Sequence, residues 1–158
     1  MRVAVVGAGG IGSYFGGRLA HTGTDVHLLA RGQRLRAIRD NGLRISGVRG
    51  EFAVALPATD DPADIGPCDI VLFCVKSYDT EGAVDLLPPL LRATTAVVSL
   101  QNGVDNEEKI AARIGPEHVF GGAAFIFASV VEPGVVHDAG GPGSLLFGEL
   151  DGSTSARG

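Results

Sequence analysis

The chain has 158 residues, of which 45% are hydrophobic and 20% charged, as expected for one soluble globular domain with a substantial core. Its formal net charge of −5 supplies no basic field for nucleic acid. No membrane segment is expected either, because the longest apolar stretch, Val119 to Val131, is broken by glycines and a serine and is too short for a bilayer.

In chain order, "RVAVV" at residues 2–6 predicts a short buried strand ending at Gly7. A helix follows from Gly10 to about Thr22. Ile11, Tyr14, Phe15, Leu19 and Ala20 recur at helical spacing, and Gly23 is the C-terminal glycine. "VHLLA" is a second buried strand, and "RGQRLRAIRDNG" a short helix with Leu35 and Ile38 facing inward. Residues 43–57 alternate around Gly47 to Gly50, which predicts a hairpin. A loop with one helical turn leads to the third buried strand, "DIVLFCVK". "YDTEGAVDLLPPLL" opens another helix with acidic residues in its first turn. "TTAVVSL" is a strand, and "QNGVDNEEKIAARIG" a turn and a helix. The last third reads as strands with Gly/Pro turns, in which Val135–His137 and Ser144–Gly148 are expected to be the arms of a hairpin. "DGSTSARG" reads as a frayed end or the start of a linker.

Apolar strands alternating with helices imply a parallel sheet covered on both faces. The expected fold is therefore α/β, a Rossmann-type doubly wound, mainly parallel sheet with an antiparallel extension near the C-terminus. A dinucleotide-binding domain would span residues 1–150, with 151–158 as the tail.

"GAGGIG" matches G-x-G-x-x-G at Gly7, Gly9 and Gly12, between a predicted strand and a predicted helix. Gly7 makes the tight turn, Gly9 admits a pyrophosphate close to the backbone, and Gly12 lets the helix pack on the strand. The helix N-terminus offers N–H groups to the phosphates. A glycine turn without a ligand, and a flavin or another nucleotide on the same fold, are the alternatives. The second strand ends "HLLAR", with no acid before Asp40 to take a ribose 2′-hydroxyl. Arg31, with Arg34 one helical turn on, suits a 2′-phosphate, so NADP is favoured over NAD. The plainer reading of Arg31 is a solvated strand end.

Lys76 directly follows the third buried strand, on the rim where open α/β sheets bind ligands. It is one of only two lysines; from position alone a solvated strand end is as good a reading. Asn102, in "LQNGVDNEE", stands at the same end of the next strand; its amide suits a ribose, a nicotinamide or a carbonyl substrate, and turn chemistry alone also explains it. Lys109 reads as a solvated helix residue and His137 as structural or exposed. His21, His27 and His118 are scattered. Asp60, Asp61 and Asp64 read as caps, and no metal site is expected. Cys74 lies in an apolar run. Two free thiols, Cys68 and Cys74, and an N-terminus unlike a secretory signal predict a cytoplasmic protein.

"VAVVGAGGIGSYFGGRLAHTGTDVHLLAR", "DIVLFCVKSYDT", "SLQNGVDNEE" and "EPGVVHDAGG…LLFGEL" occur in order at a spacing that resembles the amino-terminal domain of the ketopantoate reductase (2-dehydropantoate 2-reductase) family. The resemblance runs from Arg2 to Leu150. It implies NADPH-dependent reduction of ketopantoate to pantoate, in the pathway to pantothenate and coenzyme A. It also implies that Gly7, Ala8, Gly9, Gly10, Ile11 and Gly12 hold the pyrophosphate and that Arg31 meets the 2′-phosphate. Lys76 and Ala128 would lie along the cofactor, and Asn102 near the nicotinamide ribose and the substrate. The family's general-acid lysine belongs to a helical carboxy-terminal domain that would begin where this chain stops. Lys109 is no substitute, falling in a scaffold helix, so no catalytic residue is expected in this chain and turnover by it alone should be negligible. The alternatives are a standalone NADP-binding module and a reductase of another 2-keto acid. "GGAAFIFASVV" is expected to be an exposed apolar surface, which predicts homodimerisation or poor solubility of the isolated chain.

Overall fold

The computed structural model describes residues 1–155; the last three residues of the predicted tail, 156–158, lie outside the described residues. The strands are β1 (Arg2–Val6), β2 (Asp25–Leu29), β3 (Leu43–Gly47), β4 (Phe52–Val54), β5 (Ala58–Thr59), β6 (Ile70–Phe73), β7 (Ala96–Ser99), β8 (Val119–Glu132) and β9 (Val135–Glu149). The helices are α1 (Gly10–His21), α2 (Gly32–Asn41), the single turn α3 (Thr80–Ala83) and α4 (Asn106–Ile114). The strands form one sheet in the order β4-β3-β9-β8-β7-β6-β1-β2-β5. Neighbours from β5 to β8 pair in parallel, as does β3 with β9. Among the described residues, antiparallel pairing joins β3 to β4 and β8 to β9.

Both faces of the centre are buried, which explains the unbroken apolar runs. Along β1 the side chains alternate between two cores. Val3 and Val5 join Tyr14 and Phe15 of α1, Leu35 and Ile38 of α2, and Leu43 and Ile45 of β3. Ala4 and Val6 join Phe73, Leu87, Leu90 and Ile110 on the other face. α1 ends as expected, with Gly23 at φ +90 and its N–H on the Ala20 carbonyl at 3.0 Å. Both cysteines are free; burial raises the Cys68 thiol and pushes that of Cys74 up to about 12. Among the described residues no helix is long and apolar enough to cross a membrane, and no cluster of metal-ligating side chains occurs.

Two local expectations are corrected. The helix after Tyr78 is broken into the turn α3 and 3₁₀ turns at Ser77–Asp79, Val84–Leu86 and Pro88–Leu90. Pro88 and Pro89 each lack an N–H and disfavour helix in the preceding residue, yet the segment still buries Ala83, Val84, Leu87 and Leu90. The arms assigned to Val135–His137 and Ser144–Gly148 are one strand, β9, and the hairpin partner is β8. The chain reverses at Pro133–Gly134, with Gly134 at φ +78. The "GGPG" stretch that reads as a turn is absorbed as a bulge: Phe125 pairs with Ser144 while Phe127 pairs with Gly140. The hairpin of β3 and β4 forms as expected, but β3 also adds in parallel beside β9, and the two-residue β5 beside β2 was not anticipated.

Candidate functional site

The strand order reverses at β1, whose neighbours β2 and β6 lead away in opposite directions. At their carboxyl ends lies an open cleft of about 790 Å³. The glycine loop forms its floor, residues after β2 and β6 its sides, and Ala128 to Val130 of β8 its far wall. Gly7 leaves β1 at φ +108, and a Cβ there would come within 3.0 Å of the Cys74 and Val75 backbone. Gly12 is buried beneath the loop, where a Cβ would stand 2.2 Å from the Gly7 carbonyl oxygen and 3.0 Å from Val5 Cγ1. A Cβ on Gly10 would stand 2.2 Å from the Ala128 carbonyl oxygen, so the start of α1 rests directly on β8. Gly9 differs from these three: nothing lies within 4 Å of where its Cβ would be. It is the N-cap of α1, without a side-chain cap, and the first helical hydrogen bond runs from Ser13 N to its carbonyl at 2.9 Å. The N–H groups of the first turn therefore have no carbonyl of the helix to bond, and they sit beside open space.

Seven of the ten sequence-selected residues line this cleft: Gly7, Ala8, Gly9, Gly10, Arg31, Lys76 and Ala128. Ile11 is instead half-buried against the first core, and Gly12 is a packing residue. Asn102 is exposed at the turn after β7 and does not line the cleft. Arg34 lines it beside Arg31, and a second cavity of about 410 Å³ continues past both toward Gln33 and Glu132. Unanticipated lining comes from Tyr78, Asp79 and Ser129. Tyr78 is 82% exposed, an aromatic left at the rim, and "KSYD" following a buried strand was its only signal.

Asp79 lines the cleft and Glu132 the adjoining cavity, but neither is in an ion pair with the cleft's cations. Arg2, Arg44, Arg49, Arg92, Lys109 and Arg113 each pair with a carboxylate; none of the ion pairs among the described residues engages Arg31, Arg34 or Lys76, nor Arg18, Arg36 or Arg39 outside the cleft. Lys109 is held by Asp105 at 2.7 Å, which raises its pKa and lowers that of Asp105. The other candidates serve the scaffold: His27 meets Asp25, His118 Nδ1 contacts the Thr95 carbonyl, His21 stacks on Phe52, and His137 is exposed. Asp61 caps the 3₁₀ turn at Pro62, and Asp64 accepts from Thr59 Oγ1 at 2.7 Å.

A glycine loop opening a helix, set where the strand order of a parallel sheet reverses, defines a Rossmann-type domain. The family model "Ketopantoate reductase PanE/ApbA" matches residues 3–152. The chain belongs to the ketopantoate reductase family. It is 38% identical over 159 residues to a 2-dehydropantoate 2-reductase of Halobacterium salinarum, covering 99% of this chain and 52% of that protein. The crystal structure of 2-dehydropantoate 2-reductase from Geobacter metallireducens superposes with a TM-score of 0.92 at 37% identity, covering 99% of this chain and 52% of the other. A ternary structure of D-mandelate dehydrogenase with NADH and anilino(oxo)acetate gives 0.82 at 25% identity, over 93% of this chain and 47% of the other. The chain thus spans about half the length of the curated relatives it matches.

Proposed function

We propose that the chain binds NADP(H) in this cleft and supplies the cofactor half of an oxidoreductase that reduces a 2-keto acid, with 2-dehydropantoate as the substrate. The observation that carries the cofactor assignment is the pair Arg31 and Arg34. Both line the cleft just after β2, neither is in an ion pair among the described residues, and no carboxylate stands between Arg31 and Asp40 to take a ribose 2′-hydroxyl. Two guanidinium forks there suit a 2′-phosphate. The open space at Gly9 fits a pyrophosphate against the first turn of α1. Gly7 to Gly10 would hold that pyrophosphate, with Ile11 and Gly12 of the expected set packing beneath the loop instead, and Lys76 and Ala128 would flank the nicotinamide half. Asn102, outside the cleft itself, would meet the ribose and the substrate from the next loop.

When bound, a reduced nicotinamide supplies hydride to a carbonyl carbon. The chain's own residues bind and orient; the proton for the developing alkoxide would come from a lysine of a helical domain, as the family resemblance implies. We place the protein in the cytoplasm, in keeping with its two free thiols. A second reading, NADH in the same cleft, has the NADH-bound D-mandelate dehydrogenase in its favour. Titration of the chain with NADPH and NADH separates the two. Wild type should prefer NADPH, and Arg31→Ala should weaken NADPH about tenfold or more while leaving NADH nearly unchanged. An unchanged preference in Arg31→Ala would overturn the assignment of that residue.

A further inference from the structure

Three side chains outside the cleft lining join the two loops that follow β6 and β7. Gln101 turns its amide back to the β6 loop, where Nε2 donates to the Val75 carbonyl at 2.9 Å and to Thr80 Oγ1 at 2.8 Å. Thr80 Oγ1 donates to Asn106 Oδ1 at 3.2 Å, and Asn106 Nδ2 donates to the Asn102 carbonyl at 3.1 Å. Thr80 and Asn106 are both 0% exposed. Every direction in this chain is forced. The Val75 and Asn102 carbonyls only accept, so both amides must present their NH₂ groups to them. Thr80, with one proton, accepts from Gln101 and donates to Asn106.

Helix capping does not account for these residues. Thr80 opens α3 and Asn106 opens α4, but neither helix has a side-chain cap, and both side chains are committed to each other. Gly103 belongs to the same arrangement. Its φ is +126, and a Cβ would stand 2.8 Å from Asn106 Nδ2, so the Asn-Gly turn is wrapped around that amide. The relay ends at Val75, one residue before Lys76, and at Asn102.

We propose that Thr80, Gln101 and Asn106 are positioning residues that hold Lys76 and Asn102 in one register at the nicotinamide half of the cofactor site. This rests on the cofactor reading above. A dinucleotide laid across the strand reversal has its adenosine half over β2, beside Arg31, and its other half over β6 and β7. The relay lies wholly on the second side. Its loss therefore weakens contacts to the nicotinamide half and spares those to the adenosine half.

The test titrates two probes, NADPH and adenosine 2′,5′-bisphosphate, which lacks the nicotinamide half, against the wild-type chain, Thr80→Val, Thr80→Ser and Gln101→Met. Valine keeps the shape of threonine without the hydroxyl, serine restores the hydroxyl, and methionine keeps the length of the half-buried Gln101 without its amide. Thr80→Val and Gln101→Met should bind NADPH about tenfold more weakly and the bisphosphate as wild type does. Thr80→Ser should match wild type with both. Equal weakening of both probes, or unchanged NADPH affinity in the two variants, overturns the proposal. A wild-type chain that binds neither probe overturns the cofactor reading, and the proposal with it. Amide hydrogen exchange on the free chain supplies a readout without ligand. Gln101→Met should raise exchange in residues 76–79 and 103–105 together and leave the glycine loop at wild-type protection; a rise in only one loop, in neither, or throughout the chain counts against a shared register.

Discussion

Along β7, every residue from Ala96 to Ser99 is buried; along β8 beyond Gly122, exposed and half-buried residues alternate to Val131. The two strands are neighbours, and their difference divides the molecule. In the parallel core both faces are finished, and the glycine loop is built from backbone set against backbone. The β8–β9 ribbon packs Ile126, Ala128 and Val130 on the first core while leaving Phe125, Phe127 and Val131 in solvent, a refinement of the expectation that the whole stretch would be exposed. Its register shifts near Phe127 and Val130, and a carboxylate, Asp138, is buried within it. The core therefore tolerates little change at its glycines, and the ribbon is held at one corner by charge.

The largest effects are expected in the glycine loop, where they should separate by position. Gly12→Ala would drive a Cβ into the Gly7 carbonyl, contact that neither backbone can relieve, and should destabilise the chain by about 3 kcal/mol. Gly9→Ala meets nothing within 4 Å and has an ordinary backbone conformation at φ −82. It should cost no more than about 1 kcal/mol, the loss of a better N-cap, while weakening NADPH about tenfold by filling the space a pyrophosphate would use. Urea denaturation beside NADPH titration measures both quantities. Comparable unfolding midpoints for the two variants would erase the distinction between a packing glycine and a binding glycine.

The ribbon's corner should respond to pH. Arg49, in the turn between β3 and β4, donates to both Asp138 oxygens at 2.9 and 2.8 Å and also to the Gly141 carbonyl; Gly140 N–H meets Asp138 Oδ1 at 2.9 Å. Burial pulls the Asp138 carboxyl upward, but the Arg49 hydrogen bond, the Gly140 N–H and the charges of Arg49 and Arg18 outweigh it and leave the carboxyl below its ordinary value. A carboxyl lowered on folding stabilises the fold above its unfolded pKa and loses that contribution as pH falls through the folded value. Asp138→Asn should therefore be less stable than wild type at neutral pH, with the gap narrowing as pH falls below the ordinary carboxylate range near 4. Unfolding midpoints across pH 7 to 3 would show it; a constant gap would mean the residue acts through shape alone.

The same division decides what could be read from the amino acids in order. The glycine loop, Arg31 and Lys76 are local signals, each fixed by the strand just before it, and all reach one cleft. Asn102 carries an equally local signal but falls outside the lining, because the turn bends around Asn106 instead. Thr80 and Asn106 were invisible as partners: a polar residue at a helix start reads as a cap, and nothing in the spacing announces a bond across 26 positions. Periodicity likewise says that β3 is half-buried but not that Ile45 will pair with Val136. Gly140, Gly141 and Gly143 around Pro142 have the composition of a turn, and only the pairing partner in β8 makes them a bulge inside a strand.

The smallest effect on stability, and the clearest on behaviour in solution, is expected at Phe127. It is 71% exposed in β8, with Phe125 two residues before it and Leu146 of β9 also in solvent. An exposed aromatic surface of this kind favours self-association. Since the side chain is mostly in water already, Phe127→Ser removes little buried area, and the unfolding free energy should change by no more than about 0.5 kcal/mol. Sedimentation velocity over a range of concentrations should show wild type associating and the variant shifted toward monomer. A wild-type chain that stays monomeric at high concentration would mean that these aromatics, though open to solvent, do not hold two copies together, and the ribbon's unfinished face would then differ from the core in exposure alone.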